Sequence, residues 1–350
     1  MLEFSVLSGS DVMAILAGRE KDVIARVRDA YLTHDAGDSV NPDSYFLRFP
    51  EKPDSRIIAL PAHLGGTTDV SGIKWIASFP RNVESGLPRA SAVLVLNDST
   101  TGYPFALMEA AGISAARTAA SAALAATTLG HSEPTSIGVL GGGVIARTIC
   151  RYLHHAGIPL TDVRCHDIDA PSAQSLAGHL ATEYGSASRT ASADEALDCD
   201  LVVLATTALR PHISADRVLR PGQLILNVSL RDLPPELLLT ADNVLDDVEH
   251  CLKADTSPTW PNSSPASVTS SPGRSRRCSR DRYGPTRGGP PSSRRSAWAS
   301  STWPSATTSM RRPPPKGDCG RSRTSSARPA AGRPRASSFC QPTSNGNRKS

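Results

Sequence analysis

Near the N-terminus, apolar residues recur at close to helical spacing: Val12, Ile15 and Leu16, then Val23, Ile24, Val27 and Tyr31. With Ser8 or Ser10 placed to cap, this predicts one helix over 8–36. Strand-like runs follow: SYFLRFP (44–50), RIIALPAHL (56–64), GIKWIASF (72–79), ASAVLVLND (90–98) and PFALMEA (104–110). Asp98 to Gly102 reads as a hairpin turn between the last two. ISAARTAASAALAATTL (113–129) predicts an alanine-rich helix whose small side chains allow close packing.

Beyond the polar break His131–Ser136 the rhythm becomes strand–helix–strand. TSIGVL (135–140) is a buried strand, and GGGVIARTICRYLHHAG (141–157) is a glycine turn running into a helix closed by Gly157. DVRCHDI (162–168) is a second strand, and PSAQSLAGHLATEY (171–184) a helix with Pro171 in its first turn. CDLVVLATTA (199–208), GQLILNVSL (222–230) and NVLDDV (243–248) are further strands. Such alternation implies a parallel sheet covered on both faces. The expected fold is α/β: a Rossmann-type parallel sheet domain over 131–256 preceded by an α+β domain over 1–130.

The glycine turn carries a chemical signal. Gly141-x-Gly143-x-x-Ala146 follows a strand and opens a helix. Gly141 permits the tight turn, Gly143 removes a side chain where a pyrophosphate approaches backbone, and Ala146 keeps helix and strand close. The helix N-terminus, at Val144 and Ile145, offers free N–H groups to phosphate. Asp167 ends the next strand, where an acid accepts hydrogen bonds from ribose hydroxyls, and no Arg or Lys adjoins it, which favours NAD over NADP. A glycine turn without a ligand is the plainer alternative; the order strand, turn, helix, strand, acid favours the nucleotide. Ligands of open α/β sheets lie at the carboxyl ends of strands. Thr206 and Asp232 end two of them, and Asp232 fits equally a general base or a cap for the helix starting at Pro234–Glu236.

Composition divides the chain. The formal charge of +5 averages two unlike parts. Residues 257–350 hold 16 Arg, 2 Lys, 2 Asp and no Glu, with no Leu, no Ile and one Val. Residues 1–256 hold 20 basic and 31 acidic residues. The last 94 residues offer too little apolar surface to offset chain entropy and are expected to be a disordered Arg/Ser/Pro-rich tail. Seven cysteines, widely spaced and without C-x-x-C, argue against a disulfide framework or zinc ribbon and fit a reducing cytoplasm; no metal ligand set is expected. The first residues lack a basic signal-peptide region, and no apolar run is long enough to span a membrane.

Three cations interrupt apolar elements of the first domain: Arg48, Lys74 and Arg117. Buried or half-buried cations need anionic partners. Internal salt bridges are the commoner fate of a single such residue. Three on one domain beside a cofactor domain favour a carboxylate pocket, which arginine holds through paired hydrogen bonds.

FLRFP (46–50), RIIALPAHLGG (56–66), GIKWIASFPRN (72–82), RASAVLVLND (89–98), TGYPFALMEA (101–110), ISAARTAA (113–120) and NVSLRDL (227–233) give the chain a resemblance to the ornithine cyclodeaminase/μ-crystallin family over about residues 5–256. The branch it is most similar to is the siderophore-pathway N-(2-amino-2-carboxyethyl)-L-glutamate dehydrogenases. The resemblance implies a usually dimeric, two-domain enzyme: a substrate-binding and dimerisation domain (1–130) and an NAD-binding Rossmann domain (131–256). It implies Arg48, Lys74 and Arg117 as substrate-binding cations, Lys74 also catalytic, and Asp232 as the catalytic aspartate. Gly141, Gly143, Val144, Ile145, Asp167 and Thr206 would hold NAD. The family's Gly-Lys pair after the aspartate is replaced by Leu233-Pro234-Pro235-Glu236, which fits this branch better than true cyclodeaminases. The implied reaction is NAD-dependent cleavage of the conjugate to L-2,3-diaminopropionate and 2-oxoglutarate, serving siderophore or peptide-antibiotic synthesis. The alternatives are ornithine cyclodeamination, imino-acid reduction and a non-catalytic μ-crystallin-like binding protein. The tail departs from the family's ordered continuation and reads as an out-of-frame product, leaving the Rossmann half incomplete. Read instead as a genuine basic extension, it would contact nucleic acid non-specifically, a partner the frameshift reading weighs against.

Overall fold

The computed structural model describes residues 3–130, 133–229 and 231–247, and the backbone of a strand at Ala297–Ser300. Two seven-stranded sheets organise them. The first part of the chain runs β1 (Ser5–Leu7), α1 (Gly9–Leu16), α2 (Glu20–Asp35), β2 (Ser39–Val40), β3 (Tyr45–Phe49), β4 (Lys52–Leu64), β5 (Val70–Ser78), β6 (Ala90–Asp98), β7 (Pro104–Glu109) and α3 (Ala111–Leu129). Its sheet has the order β1-β7-β6-β5-β4-β2, with β3 also on β4. Every pairing is antiparallel except that of β1 with β7. Alternation along the strands decides which face is covered. Ala92, Leu94 and Leu96 of β6 and Ala106 and Met108 of β7 are buried, whereas Val93 between them is exposed.

Helix α3 lies on the covered face. Ala115, Ala116, Ala119, Ala120, Ala122, Ala123 and Ala126 are all buried, and one hydrophobic core joins all of them but Ala115 to residues of both sheets. The Glu109 carboxylate caps this helix, accepting the backbone N–H groups of Ala111 at 2.6 Å and Gly112 at 3.4 Å. That satisfies donors a helix start otherwise leaves unpaired.

The second part runs β8 (Ile137–Leu140), α4 (Val144–His155), β9 (Asp162–His166), α5 (Ala170–Tyr184), β10 (Ala187–Thr190), α6 (Ala193–Leu197), β11 (Leu201–Leu204), β12 (Leu224–Asn227), α7 (Pro235–Leu238) and β13 (Asp242–Leu245); β14 is Ala297–Ser300. All pairings of the order β10-β9-β8-β11-β12-β14-β13 are parallel. Strands β8, β11 and β12 are buried at every residue, as a sheet covered on both faces requires. The α/β fold with a Rossmann-type sheet expected from the sequence is therefore present. Among the described residues, no helix is long and apolar enough to cross a membrane.

Several expectations need correction. The helix expected over 8–36 is two: α1 ends at Leu16, and Gly18 at φ +70 turns the chain before α2. Ser8 rather than Ser10 caps α1, in a reciprocal capping box with Asp11. Strands β1 and β10 and helix α6, each five residues or fewer, are too short to carry a period and were not expected. The tail, expected to lack structure, contributes β14 between β12 and β13. A ladder is made by backbone groups, so it asks little of side-chain composition. The rest of 257–350 lies outside the described residues.

Gly138 in β8 faces the α6 backbone so closely that an added Cβ would lie 1.7 Å from the Ala196 carbonyl oxygen. Gly138→Ala is expected to cost about 1–3 kcal/mol of stability. Gly178, exposed within α5 with no atom near its Cβ position, is the contrasting site. Gly178→Ala is expected to add about 0.5–1 kcal/mol. Denaturant midpoints of the two variants check both signs.

Candidate active site

The structure gathers the residues singled out by the sequence into three groups. The first is the turn between β8 and α4. Gly141 sits at φ +101, where a Cβ would meet the Ala205 carbonyl oxygen at 2.4 Å, so glycine is required on two counts. The N-cap of α4, Gly143, makes no side-chain cap, and its Cβ position faces open space. The first N–H groups of α4, from Val144 onward, are thus left for an external anion. Ala146 is fully buried, consistent with close helix–strand packing. Asp167 follows β9; its Oδ2 accepts the Gly142 N–H at 2.6 Å and its Oδ1 the Asp169 N–H at 2.9 Å. A carboxylate so held keeps lone pairs for further donors. These features fit a dinucleotide: an open glycine at a helix start, a fixed acid at the neighbouring strand end, and the exposed Val144 side chain clear of the backbone path.

The second group surrounds Asp232, which has 0% solvent exposure. Thr206, after β11, donates its hydroxyl to Asp232 Oδ1 at 2.5 Å. His212 Nε2 lies 2.9 Å from the same oxygen. Oδ2 is also shielded and makes no hydrogen bond of ordinary geometry, though the buried Ser229 hydroxyl helps to hold the charge. Burial alone would raise the Asp232 pKa; hydrogen bonds from His212 and Thr206, the nearby Ser229 hydroxyl and the His212 charge outweigh it and hold the carboxyl below its ordinary value. Asp232 does not cap α7, whose N-cap is Pro234 without a side-chain bond. Of the two roles open from the sequence, the cap is not realised. His212 was not anticipated. Its partner is 20 residues away, and a lone histidine between strands has no spacing signal.

The third group is cationic. Lys74 of β5 points into the covered face, 3% exposed, with Nζ 3.3 Å from the Ser114 hydroxyl of α3. Burial, then the nearby Arg117, lowers its pKa to about 7. Arg117, one turn further along α3, is lowered by burial, while Tyr31 and Asp246 act in the opposite sense. Arg48 corrects an expectation: it is exposed, with its guanidinium 4.9 Å from the Phe46 ring centroid. Edge strand β3 lacks a cover on that side. Arg48 pairs across the sheet with Arg56, Arg56 with Ser78, and Arg89 donates to the Ser78 hydroxyl at 3.0 Å. Directly paired residues share a face, so Arg56 and Ser78 lie on the Lys74 side of the sheet. Burial lowers the Arg56 pKa, and the charges of Arg231, Arg48 and Arg89 lower it further. Arg231 adjoins Asp232, which ties this row to the second group. Arg56 and Arg89 each begin an apolar run and read from sequence as strand boundaries, which hid them.

A parallel sheet with a glycine turn at its first crossover, joined to a mixed sheet bearing buried cations, defines the class of Rossmann-type two-sheet proteins. Residues 5–252 match the ornithine cyclodeaminase/mu-crystallin family, and the chain belongs to it. It is 30% identical over 259 residues to the N-((2S)-2-amino-2-carboxyethyl)-L-glutamate dehydrogenase of Staphylococcus aureus, covering 71% of this chain and 76% of that protein. It is 29% identical over 253 residues to an alanine dehydrogenase of Archaeoglobus fulgidus, covering 71% and 75%. The Thermococcus litoralis delta-1-pyrroline-2-carboxylate reductase, solved with NADH and L-proline, is similar at TM-score 0.73 and 26% identity, covering 86% of this chain and 92% of that one. An archaeal alanine dehydrogenase dimer with bound NAD has the same fold at TM-score 0.71 and 23% identity, covering 86% and 92%.

A lysine whose pKa falls on folding costs stability wherever it is protonated in the unfolded chain, whether folding strips the proton or buries the charge. The cost is absent above about pH 10.5, grows as the pH falls toward 7 and is complete below. Lys74→Met is therefore expected to raise the Tm of the unliganded protein at pH 7 by on the order of 2–4 °C, with a smaller gain at pH 10. Thermal melts at the two pH values check this, and an unchanged Tm at pH 7 would mean the ammonium is fully compensated.

Proposed function

We propose that the chain is an NAD-dependent amino-acid dehydrogenase acting on a carbon–nitrogen bond. Its substrate is N-(2-amino-2-carboxyethyl)-L-glutamate, cleaved to L-2,3-diaminopropionate and 2-oxoglutarate. The observation that carries the reading is the gathering of positive charge on one side of the first sheet: Lys74 beside Arg117 on the covered face, and Arg56 among Arg48, Arg89 and Arg231, the last of which adjoins Asp232 in sequence. A substrate with three carboxylates matches that charge. Alanine has one carboxylate, and ornithine would bring a second ammonium among six cations. The similarity to the Staphylococcus aureus dehydrogenase supports the same choice.

Gly141, Gly143, the first N–H groups at Val144 and Ile145, Asp167 and Thr206 are the residues that would hold NAD. NAD bound there would accept the hydride from the glutamate α-carbon. Lys74, Arg117 and the arginine row clamp carboxylates and so fix which C–H bond is presented, an orientation effect that can supply several kcal/mol. A bound carboxylate also restores the charge on Lys74. Asp232 takes the proton from the secondary amine as the C=N bond forms, gives it up to solvent, and then takes a proton from the water that adds to that carbon and passes it to the nitrogen. The C–N bond breaks, the diamino acid leaves with its nitrogen protonated, and the keto acid remains.

The second copy expected of a homodimer has a place to dock. Tyr45, Ala59, Trp75 and Val93 pair in register across the uncovered face of the first sheet. Tyr45, Trp75 and Val93 are 70%, 42% and 39% exposed. An apolar sheet face of this kind is seldom left in water, and the archaeal alanine dehydrogenase of the same fold is a dimer. Trp75→Glu is expected to convert a dimer into a monomer by light scattering, with unchanged secondary structure.

The reaction is tested by incubating the full chain with the conjugate and NAD. Absorbance of NADH is expected to rise with stoichiometric 2-oxoglutarate. Asp232→Asn should lower kcat by about 10²–10⁴-fold while leaving NAD affinity within about threefold. NADH formed from alanine but not from the conjugate would reject the substrate assignment, and proline formed from ornithine without net NADH would make the chain a cyclodeaminase.

A further inference from the structure

A fully buried base has a transport problem: the proton it removes must reach water. Asp232 has no solvent exposure, and its Oδ1 is engaged by Thr206 and His212. Thr206 cannot carry a net charge, whereas the imidazole of His212 can, and its side chain is 44% exposed. The geometry is fixed twice over. The backbone N–H groups of His212 and Ile213 both donate to the Asp232 carbonyl, at 3.2 and 3.3 Å, and the ring then folds back to place Nε2 at 2.9 Å from Oδ1. The segment carrying the histidine is thus docked on the residue it serves. Oδ2 is shielded from water and makes no ordinary hydrogen bond.

We propose that His212 is a positioning residue that acts through Asp232: it orients the carboxylate by holding Oδ1 and passes to solvent the proton that the carboxylate takes up. The inference rests on the functional reading above. No bond to substrate or cofactor is required of His212. The proton moves from the substrate amine to Asp232; the neutral ring, which donates Nε2–H to the ionised carboxylate, takes up its Nδ1–H tautomer through exchange with water, accepts the carboxyl proton at Nε2 and releases one proton to water, so the ring must be neutral before each cycle. Asp232 is the group whose charge acts on His212, through the hydrogen bond first and its field second. Arg210, two residues before His212, and Arg231, next to Asp232, are the flanking cations. The raised pKa of His212 has the sign this pairing requires. Activity should therefore climb as the pH passes through a midpoint above the ordinary histidine value of about 6.5.

Three variants of the full chain test this: His212→Gln, His212→Phe and Asp232→Asn. Histidine ring resonances of the unliganded protein are titrated by NMR, with His212 identified by its loss in His212→Gln. Its midpoint is expected above the ordinary value and should fall in Asp232→Asn. In turnover, His212→Phe is expected to lose about 10- to 100-fold in kcat, with KM within about twofold, NAD affinity unchanged and the rising limb of the pH profile gone. Added imidazole should restore part of the rate. His212→Gln, which can still donate to Oδ1, should lose the rising limb but retain more kcat than the phenylalanine variant. A midpoint that does not move in Asp232→Asn overturns the pairing, and wild-type kcat and pH profile in His212→Phe overturn the relay. A wild-type chain with the coupled titration but no NADH from the conjugate rejects the functional reading and the relay with it, while upholding the pairing. Turnover with an uncoupled His212 rejects the relay alone.

Discussion

Close packing of helix α3 is the constraint on which the two-sheet arrangement depends. Seven of its alanines are buried, and the core they form reaches β6 on one side and β12 and α4 on the other. Larger side chains there would push the sheets apart. The same helix carries Ser114, beside the Lys74 ammonium, and Arg117, whose charge acts on Lys74. Packing and electrostatics are therefore set by one element. The small residues bring the backbone close, and that closeness is what buries the cations.

Burying like charges together is unfavourable unless something compensates. Lys74 and Arg117 each lose proton affinity through burial, and Arg56 is pressed by three further arginines. Around Arg117, Tyr31 and Asp246 offset part of this. Asp232 shows the opposite arrangement. It is equally removed from water, yet donors from Thr206 and His212 favour its charged form. The aspartate and the cations thus differ in sign: hydrogen bonds keep the Asp232 carboxyl ionised, whereas burial presses on the charge of Lys74 and Arg117.

The glycine turn belongs to the same logic. Gly141 is fixed by its backbone angle and by the Ala205 carbonyl, which leaves Gly143 and the start of α4 open. Of the three groups this one is the most local in sequence, because turn, helix start and acid all fall within one βαβ unit. The cationic pocket is the least local, drawn from β3, β4, β5, α3 and the segment after β12.

How much the sequence determined follows from that difference. The strands, the alanine-rich helix, the parallel half of the fold and the Gly141–Asp167 unit were legible, because each is written in near-neighbour spacing. Lys74 and Arg117 stood out as charges within apolar runs, and Thr206 and Asp232 as polar strand ends. The break at Gly18, the short strands β1 and β10 and the exposure of Arg48 were not legible, since they turn on which neighbours an element meets. Local context left open whether Asp232 caps the next helix; the fold turns its carboxylate instead to His212 and Thr206, residues 20 and 26 positions away. Spacing along the chain fixes what a segment can become. Hydrogen bonds and charge interactions between distant segments exist only once the chain has folded, and those decided what each polar side chain faces.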